Sequence, residues 1–158
     1  MKSLILGIVS CLVTIPLWAV NPVWLEGKTS DQYEITVYRS ATCGCCKAWV
    51  SHLKDHNFDV TDTTVDDVNK FKQQFNIPTD AASCHTAMVN GVAIEGHVPA
   101  QDIKRLLKDK GDIRLLTVPM MPSGTPGMDR SGAPKNDFKV YSITQDDQVD
   151  VYNTYSNY

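Results

Sequence analysis

Ile35-Thr36-Val37-Tyr38, then Thr42-Cys43-Gly44-Cys45-Cys46, then Lys47-Ala48-Trp49-Val50-Ser51-His52-Leu53: the reading of this stretch decides the fold. The first run alternates as a strand does, and the last carries Trp49, Val50 and Leu53 at helical spacing. Three thiols therefore sit where a strand hands over to a helix. A helix N-terminus offers free backbone N–H groups and the positive end of its dipole. Both favour thiolate, the form that attacks disulfides and binds soft metals. Three crowded thiolates repel one another, which favours either a disulfide or a cation. The plainer alternatives are a structural disulfide or half a zinc site. Zinc usually needs a second C-x-x-C or a spaced His pair; beyond the cluster and Cys11, this chain has only Cys84, followed by His85.

Working back from the cluster, Tyr33, Ile35 and Val37 share one face of the strand, and Glu34, Thr36 and Tyr38 the other. Residues 20–32, with Pro22, Gly27 and Ser30, read as a linker. Residues 1–19 read as a signal peptide: Lys2, an apolar run from Leu4, and a cleavage position near Ala19. A membrane anchor, or a lipoprotein box ending at Cys11, are the alternatives. All three place the domain outside the cytoplasm, where disulfides persist.

Working forward, Asn57 stops the helix, and Phe58 and Val60 alternate in a second strand. Asp66 or Asp67 caps a helix carrying Val68, Phe71 and Phe75, closed by Pro78. Residues 79–85 are a loop ending in Cys84-His85. Thr86 to Val89 and Val92 to Ile94 are strands joined at Asn90-Gly91, a strong two-residue hairpin turn. A last helix carries Ile103, Leu106 and Leu107 and ends at Gly111. The order β-α-β-α-β-β-α predicts an α/β, thioredoxin-like domain over residues 33–111. In that fold the loop before the third strand packs against the C-x-x-C. The usual proline of that loop is replaced here by Cys84-His85, so both residues are expected beside Cys43, Cys45 and Cys46.

The length, 158 residues, suits one such domain plus an appendage. The net charge of −3 gives no basic footprint for nucleic acid. Residues 112–158 read as a C-terminal extension. It opens on a Pro/Gly-rich loop with Met120, Met121 and Met128, and ends in a possible hairpin, Phe138 to Ile143 and Val149 to Tyr155. Met in such a loop is less easily explained as core packing, and thioether favours Cu(I).

The soft set is Cys43, Cys45, Cys46, Cys84 and a Met, with His85 as a borderline nitrogen. Copper accepts all three donor types, and one thiolate can bridge two Cu(I) ions. Zinc gains little from thioether, and an iron–sulfur cluster leaves the Met loop unexplained. His52 and His56, i and i+4, read as a solvated face or a favourable contact with the helix C-terminus. His97 reads as a structural or supporting group.

With these residues in place, the chain resembles the CopG family of small exported copper-resistance proteins of Gram-negative bacteria. The resemblance rests on Tyr38 to Cys46, on Cys84-His85-Thr86-Ala87, on Glu95-Gly96-His97-Val98-Pro99-Ala100, and on Met121 to Met128. It implies a thioredoxin domain with a metal-binding extension, a multi-copper site, and interconversion of Cu(I) and Cu(II) in detoxification. Carried over by motif, Cys43, Cys45, Cys46 and Cys84 are metal or redox sulfurs. His85 is a nitrogen ligand, and Met121 and Met128 are contributions from the extension. The expectation is a periplasmic, monomeric, copper-linked oxidoreductase with Cys43 and Cys46 as its catalytic pair. Its partners are copper ions and copper-efflux or other periplasmic copper-handling proteins, not nucleic acid. A general thiol–disulfide oxidoreductase and a passive copper chaperone or store are the competing readings.

Overall fold

The computed structural model describes residues 22–130 and 132–158. The signal-peptide reading, with Cys11 and Ala19, lies outside the described residues. Among those residues no helix is long and apolar enough to cross a membrane.

Among the described residues, seven strands form one mixed sheet, and three α-helices connect or flank its strands. The strands are β1 (Tyr33–Arg39), β2 (Phe58–Thr64), β3 (Thr86–Val89), β4 (Val92–Glu95), β5 (Ile113–Thr117), β6 (Phe138–Thr144) and β7 (Val149–Tyr155). The helices are α1 (Gly44–Asp55), α2 (Asn69–Gln74) and α3 (Ala100–Lys108). The order across the sheet is β2-β1-β3-β4-β5-β6-β7. The α1 crossover makes β1 and β2 parallel, and the α3 crossover does the same for β4 and β5. The β3–β4 hairpin closes through Asn90 (φ 46°) and Gly91 (φ 75°), the left-handed pair such a turn demands.

Period two puts Ile35 and Val37 of β1 inside, against Trp49, Val50 and Leu53 of α1 and Ile103 and Leu106 of α3. The other face of β1 is also covered: Phe71 stacks on Tyr38 at 3.9 Å between centroids. Helix α2 is shorter than its periodicity suggests, because Asn76 turns into the left-handed region (φ 52°) before Pro78.

Residues 112–158 join the same sheet: β5 pairs in parallel with β4, and the hairpin expected from the sequence, β6–β7, continues it. One reading needs correction. Residues 22–32 are not a free linker. Trp24 is only 1% exposed and packs against Phe138, Tyr155 and Tyr158. The Lys104 ammonium donates to the backbone carbonyls of Thr29 and Asp31. A buried indole contributes several kcal/mol of apolar burial, which holds this segment against the domain (about 150–250 Å² at roughly 25 cal/mol/Å²).

That packing also changes the reading of His52 and His56. His56 is fully buried, and its Nε2–H donates to the Trp24 carbonyl at 2.6 Å. His52 Nε2 accepts the Ala100 N–H at 3.0 Å and so caps the start of α3, which Pro99 cannot do. Desolvation by burial lowers the pKa of both rings, His52 to about 3. They are neutral structural groups, not a solvated pair.

Candidate metal centre

Cys43 occupies the N-cap of α1, and its sulfur accepts the Cys46 N–H at 3.3 Å. The strand-to-helix handover is fixed from below by Arg39. Its guanidinium grips Asp62 of β2 through two bonds of 2.8 and 2.7 Å and donates to the Ser40 carbonyl. Cys43 and Cys46 are joined in a disulfide, while Cys45 and Cys84 are free thiols. This is the oxidised state of the C-x-x-C. Cys46 is fully buried; the other three sulfurs are partly exposed.

Cys84 lies beside the cluster, as the element order predicts. The sulfurs of Cys43, Cys45, Cys46 and Cys84 all lie within 4.8 Å of one another. Cys45 Sγ is 3.6 Å from Cys43 Sγ.

The loop carrying Cys84 is held on two sides. Glu95 is fully buried and accepts the Ser83 N–H at 2.6 Å and the Thr86 hydroxyl at 2.5 Å. Lys72 of α2 completes this network as the ion-pair partner of Glu95. From the other side, Met120 N–H donates to the Ala82 carbonyl, and the Ser83 hydroxyl donates to the Met120 carbonyl. Gly96 sits between (φ 71°); a Cβ there would lie 2.5 Å from the Val118 carbonyl oxygen and 2.6 Å from Ser83.

A second group of donors shares Cys84. His85 Nδ1 and His97 Nε2 lie 3.3 and 3.2 Å from its sulfur, and both rings are fully buried. His97 is the site residue that the sequence reading left in a supporting role. Its Nδ1 is 2.8 Å from the Pro126 carbonyl, which can only accept, so the proton sits on Nδ1. The Nε2 lone pair therefore faces Cys84, and a backbone carbonyl behind the ring is the usual support of a metal-binding imidazole. His85 Nε2 is buried without a partner, an orphan that an ion or a water would satisfy.

The signal for His97 was present in the sequence. Pairing across the Asn90-Gly91 hairpin sets Thr86 opposite Glu95. Two residues further out, the same register sets Cys84 opposite His97.

The charge state suits a cation. Burial, and then the neighbouring Cys45, push the Cys84 thiol up to about 12, so its proton leaves readily only when a positive charge replaces it. Burial lowers the pKa of both His85 and His97 and keeps the rings neutral, the form that binds metal.

The methionine-bearing loop lies against the same place. Gly127 (φ 84°) touches the first turns of α1 so closely that a Cβ would be 2.8 Å from the Cys45 carbonyl oxygen and 2.7 Å from Trp49 N. Met128 follows it and is partly buried; Met121 is 51% exposed. A groove of about 790 Å³ near Ile77, Arg114 and Tyr141 takes in none of the cysteines.

Residues 81–128 match a family described as a protein of unknown function, DUF411. No curated protein matches the chain. A solved structure described as copper resistance protein CopG, form 2, is 38% identical with a TM-score of 0.75 and covers 80% of this chain and 100% of its own. Form 1 of the same protein is 38% identical with a TM-score of 0.74, covering 79% and 98%.

Proposed function

Since the chain belongs to the CopG copper-resistance family, we propose that it is an exported, periplasmic copper-handling protein that binds copper as its cargo and interconverts Cu(I) and Cu(II). Its frame is a thioredoxin-like domain over residues 33–111, with 112–158 as the extension. The β2-β1-β3-β4 order, with β3 antiparallel to its neighbours, supports that reading. The proposed ligands are Cys43, Cys45, Cys46, Cys84 and His85, with His97 added. Met121 and Met128 stand as supplementary thioethers on the loop beside α1.

One observation carries the reading: a four-sulfur group and a Cys/His group share Cys84. A shared thiolate can bridge ions, so the donor set accommodates more than one copper. Thiolate favours Cu(I), and imidazole also tolerates Cu(II). The Cys43–Cys46 pair supplies the electrons: two thiols give a disulfide, two protons and two electrons, and two Cu(II) ions take one electron each.

Metal analysis of the exported, tag-free protein, with absorption spectra before and after reduction, tests this. The expected result is more than one copper per chain and sulfur-to-copper charge-transfer bands that respond to redox state. Zinc, or no metal, sinks the proposal.

The Cys43–Cys46 disulfide also fits a general thiol–disulfide oxidoreductase, with Cys43 attacking and Cys46 resolving. Cys45→Ser and Cys84→Ser separate the two readings, since ordinary exchange survives both substitutions and copper binding falls sharply with either.

A further inference from the structure

With Cys43 and Cys46 bonded to each other, two thiols remain among the described residues, and the fold places them side by side. Cys45 belongs to the first turn of α1 and Cys84 to the loop before β3. Their sulfurs lie within 4.8 Å of each other, and both side chains are partly exposed, so an oxidant can reach them. The other pairings are worse. Cys45 and Cys46 are adjacent in sequence, and Cys43 and Cys45 are only two apart. Cys46 is fully buried and already committed to Cys43.

We infer that Cys45 and Cys84 form a second redox dithiol, closing to a Cys45–Cys84 disulfide, so that the cluster stores four electrons. The inference deepens the redox reading above and rests on it for the choice of copper as oxidant. Closure needs the two sulfurs to come from within 4.8 Å to bonding distance, about 2.05 Å. Rotation of the Cys45 and Cys84 side chains is the movement it needs, while Glu95 holds the Cys84 loop through the Ser83 N–H. The step balances as for the first pair: the two thiols lose two protons to water and two electrons to two Cu(II) ions, giving one S–S bond and two Cu(I). Over both pairs, four Cu(II) ions are reduced per chain. The second pair also gives a purpose to Cys45, which an ordinary C-x-x-C does not need.

The test begins with fully reduced, metal-free protein under argon. One portion receives excess Cu(II) with a colorimetric Cu(I) chelator, and another receives diamide, a metal-free thiol oxidant. Cu(I) and remaining thiols are counted. A non-reducing tryptic digest then asks whether the peptide of residues 40–47 is linked to that of residues 73–104, which carries Cys84. Expected are four Cu(I) in the Cu(II) portion and, with either oxidant, no free thiol at Cys43, Cys45, Cys46 or Cys84 and the linked peptides. With diamide, Cys45→Ser and Cys84→Ser should each abolish the link while keeping the Cys43–Cys46 bond. Two Cu(I), two surviving thiols and unlinked peptides with both oxidants overturn the second dithiol and leave the first intact. Linked peptides with diamide but no Cu(I) from Cu(II) uphold the dithiol and reject copper reduction instead.

Discussion

Cys84 and His97 face each other at 3.2 Å because they are opposite positions of one hairpin, extended past Thr86 and Glu95 at its open end. A sulfur and an imidazole nitrogen are thereby brought together by local chain geometry. The C-x-C-C sulfurs reach Cys84 only through the packing of α1 on the sheet.

His97 is expected to act as a ligand and not merely as packing. His97→Phe fills much of the ring volume but removes the Nε2 lone pair. Copper affinity should fall by about tenfold or more, in the range seen when groups supporting metal sites are lost. Competition with a Cu(I) chelator measures it; affinity within twofold of the parent removes His97 from the ligand set.

Glu95 and Lys72 are expected to hold the Cys84 loop. Glu95→Gln leaves the Lys72 ammonium without its charge partner in a largely buried place, and breaking such a pair costs about 3–5 kcal/mol. The midpoint of urea unfolding should drop accordingly. Adding Lys72→Met should restore part of the loss, because the unpaired charge goes with it. An Glu95→Gln midpoint equal to the parent's would show that the pair has no such role.

Much of this arrangement was legible in the sequence, and the exceptions have physical reasons. Strand β1, helix α1 and the Asn90-Gly91 hairpin are written in local periodicity and turn chemistry, so they stand in the structure where the sequence puts them. The placement of Cys84 beside the cluster followed from element order. His97 reads from the sequence only as a structural or supporting group, because its place opposite Cys84 lies beyond the paired strands of the hairpin. Trp24 sits in a Pro/Gly/Ser stretch, and its burial depends on Phe138, Tyr155 and Tyr158 at the far end of the chain, which no local pattern reports. Strand β5 is equally non-local: Arg114 breaks its apolar run, and its partner β4 lies across a helix.

Acid should weaken the fold through His52 and His56. Both have lowered folded-state pKa values, so below the ordinary histidine value near 6.5 the unfolded chain takes protons first. Stability is therefore full above that pH and falls as pH drops through it, a window reaching down to about 3 for His52. The slope is at most about 1.4 kcal/mol per pH unit for each ring. A protonated His52 also loses the lone pair that accepts the Ala100 N–H. His52→Gln retains an acceptor without the titration, so its unfolding midpoint should vary less between pH 7.5 and 5 in the metal-free, disulfide-bonded protein. An unchanged pH slope would clear His52 of the effect.

The two tryptophans among the described residues differ in what surrounds them. Trp49 lies 4.3 Å from the His85 ring, whereas Trp24 packs with aromatic rings and His52. Trp24 and Trp49 are thus two intrinsic fluorophores with separate assignments. Quenching of Trp49 emission reads the occupancy of the sulfur pocket, and Trp24 emission reads whether the N-terminal segment is seated. Trp24→Phe and Trp49→Phe resolve the two signals, so loading and folding can be followed in one cuvette without a label.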